Sequence, residues 1–338
     1  MDDISGIAQD LINRNLKPIQ AYIVLKDILK VPKSDSLLAD AEQKVLQCRW
    51  VKELEESQEP DGTWGRFHTM DSRAKRKFPT TEQAVRRALA LGLDENSDIL
   101  KKAALYMSAV IKGETAWQDK VEKFNEWPVN TRMITAATLS GISRNNPDLN
   151  GVWSLWSELA RHAFSDGRHD LDGEIAAFSE LTGIVPTRKS TKLGNMYPLI
   201  LLSATDGKLP SDIEKAYLDW IWNNDKGIYY LTWFNMDIMP GIASAEFPLW
   251  LRAIDVFSGY DYGKSLAENS INYIWSLQDK DGLWDFGAGS KSAGHAKNYC
   301  GWLLSDSWRD PSDRKTDCTI RILLLLKKYA QKCQSKDF

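Results

Sequence analysis

Apolar residues recur along this chain with helical period, in two alternating kinds. Ile99, Ala103, Tyr106 and Val110 stand four, three and four apart, and Val152, Trp156, Leu159 and Ala163 repeat that spacing; Ile213, Tyr217 and Trp220 begin it again. A single apolar stripe on an otherwise polar segment predicts a helix with one side to solvent. Between these lie Met133 to Leu139, Ile175 to Phe178 and Ile320 to Leu326, apolar or small almost all round. Such segments predict helices buried on most faces. The order reads outer helix, turn, inner helix, repeated.

The turns are themselves periodic. Gln58-Glu59-Pro60-Asp61-Gly62-Thr63-Trp64 and Gln278-Asp279-Lys280-Asp281-Gly282-Leu283-Trp284 are near copies, and Asn223 to Tyr229 is a worn one. Fainter copies surround Gly113 and Gly167, so turn glycines fall at 62, 113, 167, 227 and 282. The gaps of 51, 54, 60 and 55 residues each hold two helices and two connections. Glycine permits the left-handed conformation that ends a helix, and Asp beside it bonds the turn backbone. The Trp is expected to cover the turn, and the Gln amide to satisfy backbone groups at a helix end. Ile4 to Ile12, Pro18 to Leu29 and Leu37 to Leu54 add helices before the first turn, and Thr80-Thr81-Glu82-Gln83 forms a capping box before an inner one. About twelve helices in six pairs predict an all-α protein. An open stack needs polar end caps, which ring closure removes. The expected architecture is an (α/α)6 barrel: six helical hairpins, inner and outer rings, one domain over residues 1–338.

Composition removes several functions. The 338 residues are 43% hydrophobic and 26% charged, with net charge −3, which offers no electrostatic case for nucleic acid or an anionic membrane. No apolar run approaches the length of a membrane span. Four cysteines without paired spacing, Cys48, Cys300, Cys318 and Cys333, suit a reducing compartment, so a cytoplasmic location is expected.

Gln-x3-Gly-x-Trp after one helix, with Thr-Thr opening the next, resembles the QW repeat of the terpenoid cyclase and protein prenyltransferase superfamily, which includes squalene–hopene cyclases. The resemblance spans residues 40–330 as a pattern. It implies the barrel and a small apolar isoprenoid substrate in an aromatic-lined cavity, converted by acid-initiated chemistry without a cofactor. In the cyclases the donor is the central Asp of Asp-x-Asp-Asp. Here Asp172 aligns with it and Asp170 with the first Asp, while Gly173 replaces the third and Glu174 offers a substitute carboxylate. The same acids also read as a helix N-terminal cap. The prenyltransferase zinc pattern does not fit, because Asp317 and Cys318 are adjacent and no His follows. No metal is expected.

Inner-helix starts point toward one mouth of a barrel, which makes Glu82, Arg132, Glu246 and Asp317 candidate substrate contacts. The aromatic-rich stretch around Trp233, the nearby Trp250, and the long segment carrying His295, Trp302 and Trp308 add further candidates. Fourteen Trp suit cation stabilisation. They equally suit stacking on sugar rings, the alternative being a carbohydrate-active barrel with paired carboxylates. A non-catalytic barrel binding a ligand or a protein is the third reading.

Overall fold

The computed structural model describes residues 2–71, 73–204, 207–287 and 303–330, and among these it is all-helical. In chain order the helices are α1 (Asp2–Ile12), α2 (Pro18–Ile23, widening into a π-turn at Val24–Ile28), α3 (Ser36–Leu46), α4 (Arg49–Ser57), α5 (Thr81–Ala90), α6 (Asp98–Lys112), α7 (Trp127–Ile142) and α8 (Leu149–Ala163). They continue with α9 (Leu171–Thr182), α10 (Met196–Ala204), α11 (Ser211–Trp222), α12 (Phe247–Phe257), α13 (Asp261–Leu266), α14 (Glu268–Ser276) and α15 (Pro311–Ala330). Polar caps start several where the pattern predicts: Thr80 accepts from the Gln83 amide, Ser97 from Leu100 and Asp35 from Leu37.

Helices sequential in the chain pack as neighbours, α6 on α7 and α7 on α8, and α7 also packs on α10, which reaches α12. The last helix meets the first elements: α15 packs on α1 and α2, and Gln20 Nε2 donates to Asp317 at 2.7 Å. From α15, Tyr329 OH donates to Ile254 O of α12 at 2.6 Å and Arg321 to Ala90 O of α5 at 2.9 Å.

Two expectations are corrected. Leu37 to Leu54 is not one helix but breaks at Cys48, whose backbone is extended. The break lets the stripe serve two neighbours, α3 facing α2 and α4 facing α5. More consequential, the helix after the third turn, α9, is not buried on most faces as its pattern predicts. It packs on α8, and only Glu174, Ala177 and Phe178 of it are buried. The apolar α10, with Met196, Tyr197, Leu199, Leu201 and Leu202 buried, lies against α7 and α12 instead. Burial on all sides demands an apolar helix, and α10 meets that demand better.

The two closest turn copies carry the same bonds. Gln58 and Gln278 each donate to the carbonyl of their own turn glycine, at 3.0 and 2.9 Å, and Gln58 adds Ile99 O at 2.9 Å. Trp64 Nε1 donates to Leu54 O, and Trp284 Nε1 to Ile274 O, both ten residues upstream. Each Trp amide then donates to a threonine of the following helix, Thr81 or Thr319. Each motif therefore fastens the end of one helix to the body of the next.

The turn glycines are unequal. Gly62 (φ 89°) and Gly227 (φ 72°) abut backbone, Lys102 O and Thr232 O, where a Cβ would collide, whereas a Cβ on Gly282 (φ 71°) has its nearest neighbour 3.9 Å away. Gly282→Ala should cost about 1–2 kcal/mol, the left-handed penalty alone. Gly62→Ala should cost visibly more in urea unfolding. Equal losses would show that the backbone contact is irrelevant.

Candidate functional site

The residue after the first turn motif that faces a cavity is His68, and its position is fixed on both sides. The Thr81 and Glu82 amides donate to Arg66 O and Phe67 O. The buried Asp119 carboxylate accepts from the consecutive amides of Phe67, His68 and Thr69. Phe67 is fully buried and stacks on Trp117 at 4.8 Å.

Glu82, in the first turn of α5, meets this loop. Its carboxylate lies 2.9 Å from His68 Nδ1, accepts from Tyr197 OH at 2.9 Å, and pairs with Arg86 one turn along. Burial pushes the Glu82 carboxyl up, but the Arg86 charge and the His68 and Tyr197 hydrogen bonds outweigh it and bring its pKa to about 2. Burial, then the Glu82 charge, holds the Tyr197 phenol well above its usual range, so it stays a donor. An ionised carboxylate only accepts, so the bond to Nδ1 places a proton there. In the neutral tautomer that this bond selects, Nε2 carries the lone pair, and no described residue bonds it. Tyr230 packs edge-on against His68 at 5.4 Å and Tyr197 at 5.8 Å, with φ at 68°. A bulky residue in the left-handed region is strained, so the packing around Tyr230 must hold it there.

His68 borders a cavity of about 870 Å³ that meets the N-terminal halves of α7, α10 and α12. Its walls divide into three. Trp127, Asn130 and Met133 come from α7; Arg188, Thr191 and Lys192 from the loop before α10; Tyr229, Tyr230 and Trp233 from the loop before α12. The last two loops are joined, the Tyr229 amide donating to Gly194 O and the Met196 amide to Tyr229 O. Buried Lys192 pairs with buried Glu126 at 3.0 Å. Burial opposes ionisation of Glu126, but the Thr187 amide and Lys192 keep its pKa below the usual value.

The residues singled out from the sequence scatter. Glu82 and Trp233 belong to this site. Asp172 lies on the surface, its side chain 75% exposed and paired with Lys189, because α9 sits away from the cavity. Asp170 caps α9 by accepting from the Asp172 amide. Glu174 is fully buried, and its oxygens are taken by His169, Thr191 and the Lys192 and Leu193 amides. It anchors the cavity loop without facing the cavity. Arg132 is exposed, and Glu246 is half-buried at the start of α12; neither lines the cavity. Trp250 is core, donating to Met236 O. Asp317 is buried and accepts from Gln20, the Leu304 and Ser305 amides, the Ser305 hydroxyl and Trp308, so it and Trp308 form a structural knot. His295 and Trp302 lie outside the described residues. His68, Tyr197, Glu126 and Lys192 were not singled out. The only hint for His68 was its rarity, one of four histidines, directly after a turn motif.

Among the described residues no group of three His, Cys, Asp or Glu is placed to hold a metal ion, and no helix is long and apolar enough to cross a membrane. No family model, curated protein or solved structure matches this chain.

Proposed function

We propose that the chain is a closed α/α barrel enzyme in which His68, oriented by Glu82, acts as a general base on a ring-bearing, anionic small molecule of carbohydrate type. The carrying observation is the Glu82–His68 pair, which leaves Nε2 as a proton acceptor at the cavity wall. A carboxylate behind a histidine fixes the tautomer and stabilises the imidazolium that forms on proton transfer. Tyr229, Tyr230 and Trp233, each more than half exposed, offer faces for a sugar ring. Arg188, Lys192 and Lys226, set against Glu126, and the helix N-termini favour negative charge. The packing of α15 on α1 and α2 supports ring closure, as do the paired turn motifs.

Acid-initiated cyclisation needs a protonated carboxyl in a dry cavity. Asp172 is in solvent, and Glu82 and Glu126 are both held ionised, so this reading keeps the barrel and assigns the proton transfer to a base. The same ionisation disfavours a hydrolase with one protonated carboxyl. The test is to incubate the protein with uronic-acid oligosaccharides, neutral oligosaccharides, prenyl diphosphates and squalene, and to follow products by mass spectrometry. His68→Gln should lower the rate about 10²–10⁴-fold, the usual worth of a positioned base. Turnover confined to squalene or prenyl diphosphates and indifferent to His68→Gln would sink the proposal.

A further inference from the structure

A base takes a proton, but breaking a sugar linkage also needs a group that gives one to the departing oxygen. Among the neutral side chains of the cavity wall, the phenols hold the most acidic protons. The Tyr197 proton is committed to Glu82, 2.9 Å away. Tyr229 and Tyr230 differ. Their hydroxyls bond to each other, and no other described residue bonds either one. Each hydroxyl donates once, so two of them joined by one bond leave one proton over. The pair therefore presents a free phenolic proton to the cavity it lines.

Tyr230 is the member beside the base. Its ring meets that of His68 edge-on, with centroids 5.4 Å apart and planes at 90°, and its hydroxyl feels the Glu82 charge. Burial, followed by the Tyr229 bond, pushes its pKa up. Such a phenol keeps its proton until a strongly basic oxygen develops next to it.

The same cavity offers a seat for a carboxylate. Arg188 lies over the Phe124 ring at 4.6 Å, and Lys226 precedes the turn glycine Gly227. Neither cation has a carboxylate partner among the described residues, unlike Lys192, which is held by Glu126 at 3.0 Å. A carboxylate neutralised by fixed cations makes the C–H beside it easier to deprotonate.

We infer that this site cleaves uronides by β-elimination, with Tyr230 as the proton donor; the inference rests on the base assigned to His68. His68 Nε2 takes the proton from the carbon that carries the carboxylate. That C–H electron pair becomes the new C=C bond, and the C–O bond on the neighbouring carbon breaks. The departing oxygen keeps its electrons and receives the Tyr230 proton. The imidazolium proton returns to the phenolate through solvent, so both groups are restored and no water is consumed.

The experiment incubates the full chain with galacturonate and mannuronate oligosaccharides, in water and in D2O, and follows them by mass spectrometry. In water the product masses should sum to that of the substrate, and one product should be an unsaturated acid with ultraviolet absorbance. Tyr230→Phe keeps the ring that packs on His68, so folding is preserved. It should slow elimination about 10²–10⁴-fold. In D2O the same variant should still place deuterium beside the carboxylate of recovered substrate, whereas His68→Gln should lose both exchange and elimination. Products that carry an added water, or undiminished elimination in Tyr230→Phe, overturn the inference and leave the base assignment standing. Failure of every uronide to be consumed or to take up deuterium also overturns it; His68-dependent turnover of another substrate would then keep the base assignment.

Discussion

Glu82→Gln should destabilise the protein by about 3 kcal/mol at neutral pH, and the loss should depend on pH in one direction. Folding lowers the pKa of this buried carboxyl from 4.5 to about 2. At 1.36 kcal/mol per unit, that shift corresponds to about 3 kcal/mol of stability. Because the folded pKa is depressed, the contribution is complete above about 4.5 and disappears as pH falls toward about 2. Wild-type stability should therefore decline across that window by more than that of the Gln variant. The lost attraction to Arg86 is part of that figure, since it is the largest of the effects that lower the Glu82 pKa. Urea unfolding at pH 7 and at pH 3 measures the loss and its pH dependence. If the two proteins lose stability in parallel between these pH values, Glu82 is not the ionised anchor described above.

Trp64→Ala and Trp284→Ala should each cost about 3–5 kcal/mol, the range for emptying a large buried aromatic site. Both rings are essentially inaccessible to solvent, at 1% and 0% exposure. Each substitution also orphans a carbonyl on the preceding helix, Leu54 O or Ile274 O, that the indole N–H now satisfies. The matching glutamines should matter less: Gln58→Ala and Gln278→Ala remove hydrogen bonds at a half-buried helix end, about 1 kcal/mol per bond. Gln58→Ala should be the costlier, since its amide serves two carbonyls. Thermal or urea unfolding of the four variants tests the order. A tryptophan loss below about 1 kcal/mol would mean these motifs decorate the helices without fastening them.

The local chemistry of the motifs was readable because it acts over a few residues. The capping of α5 by Thr80, the left-handed glycines and the Gln and Trp bonds involve partners within ten residues or at the next helix, apart from the Gln58 bond to Ile99 O at the start of α6. The site was mostly not readable. His68 and Glu82 are 14 residues apart and Tyr197 another 115 away, with no periodicity relating them. The acids chosen from the motif, Asp170 and Asp172, failed to reach the cavity because their identity says nothing about which way their helix faces.

From its residues alone this chain was bound to be helical and periodically stitched, since those properties follow from spacing and from hydrogen bonds made nearby. Which helix lies against α7, and therefore which carboxylate meets a cavity, was decided only by packing. The apolar α10 displaced α9 because burying its faces removes more hydrocarbon from water, and that competition is settled among segments distant in the chain.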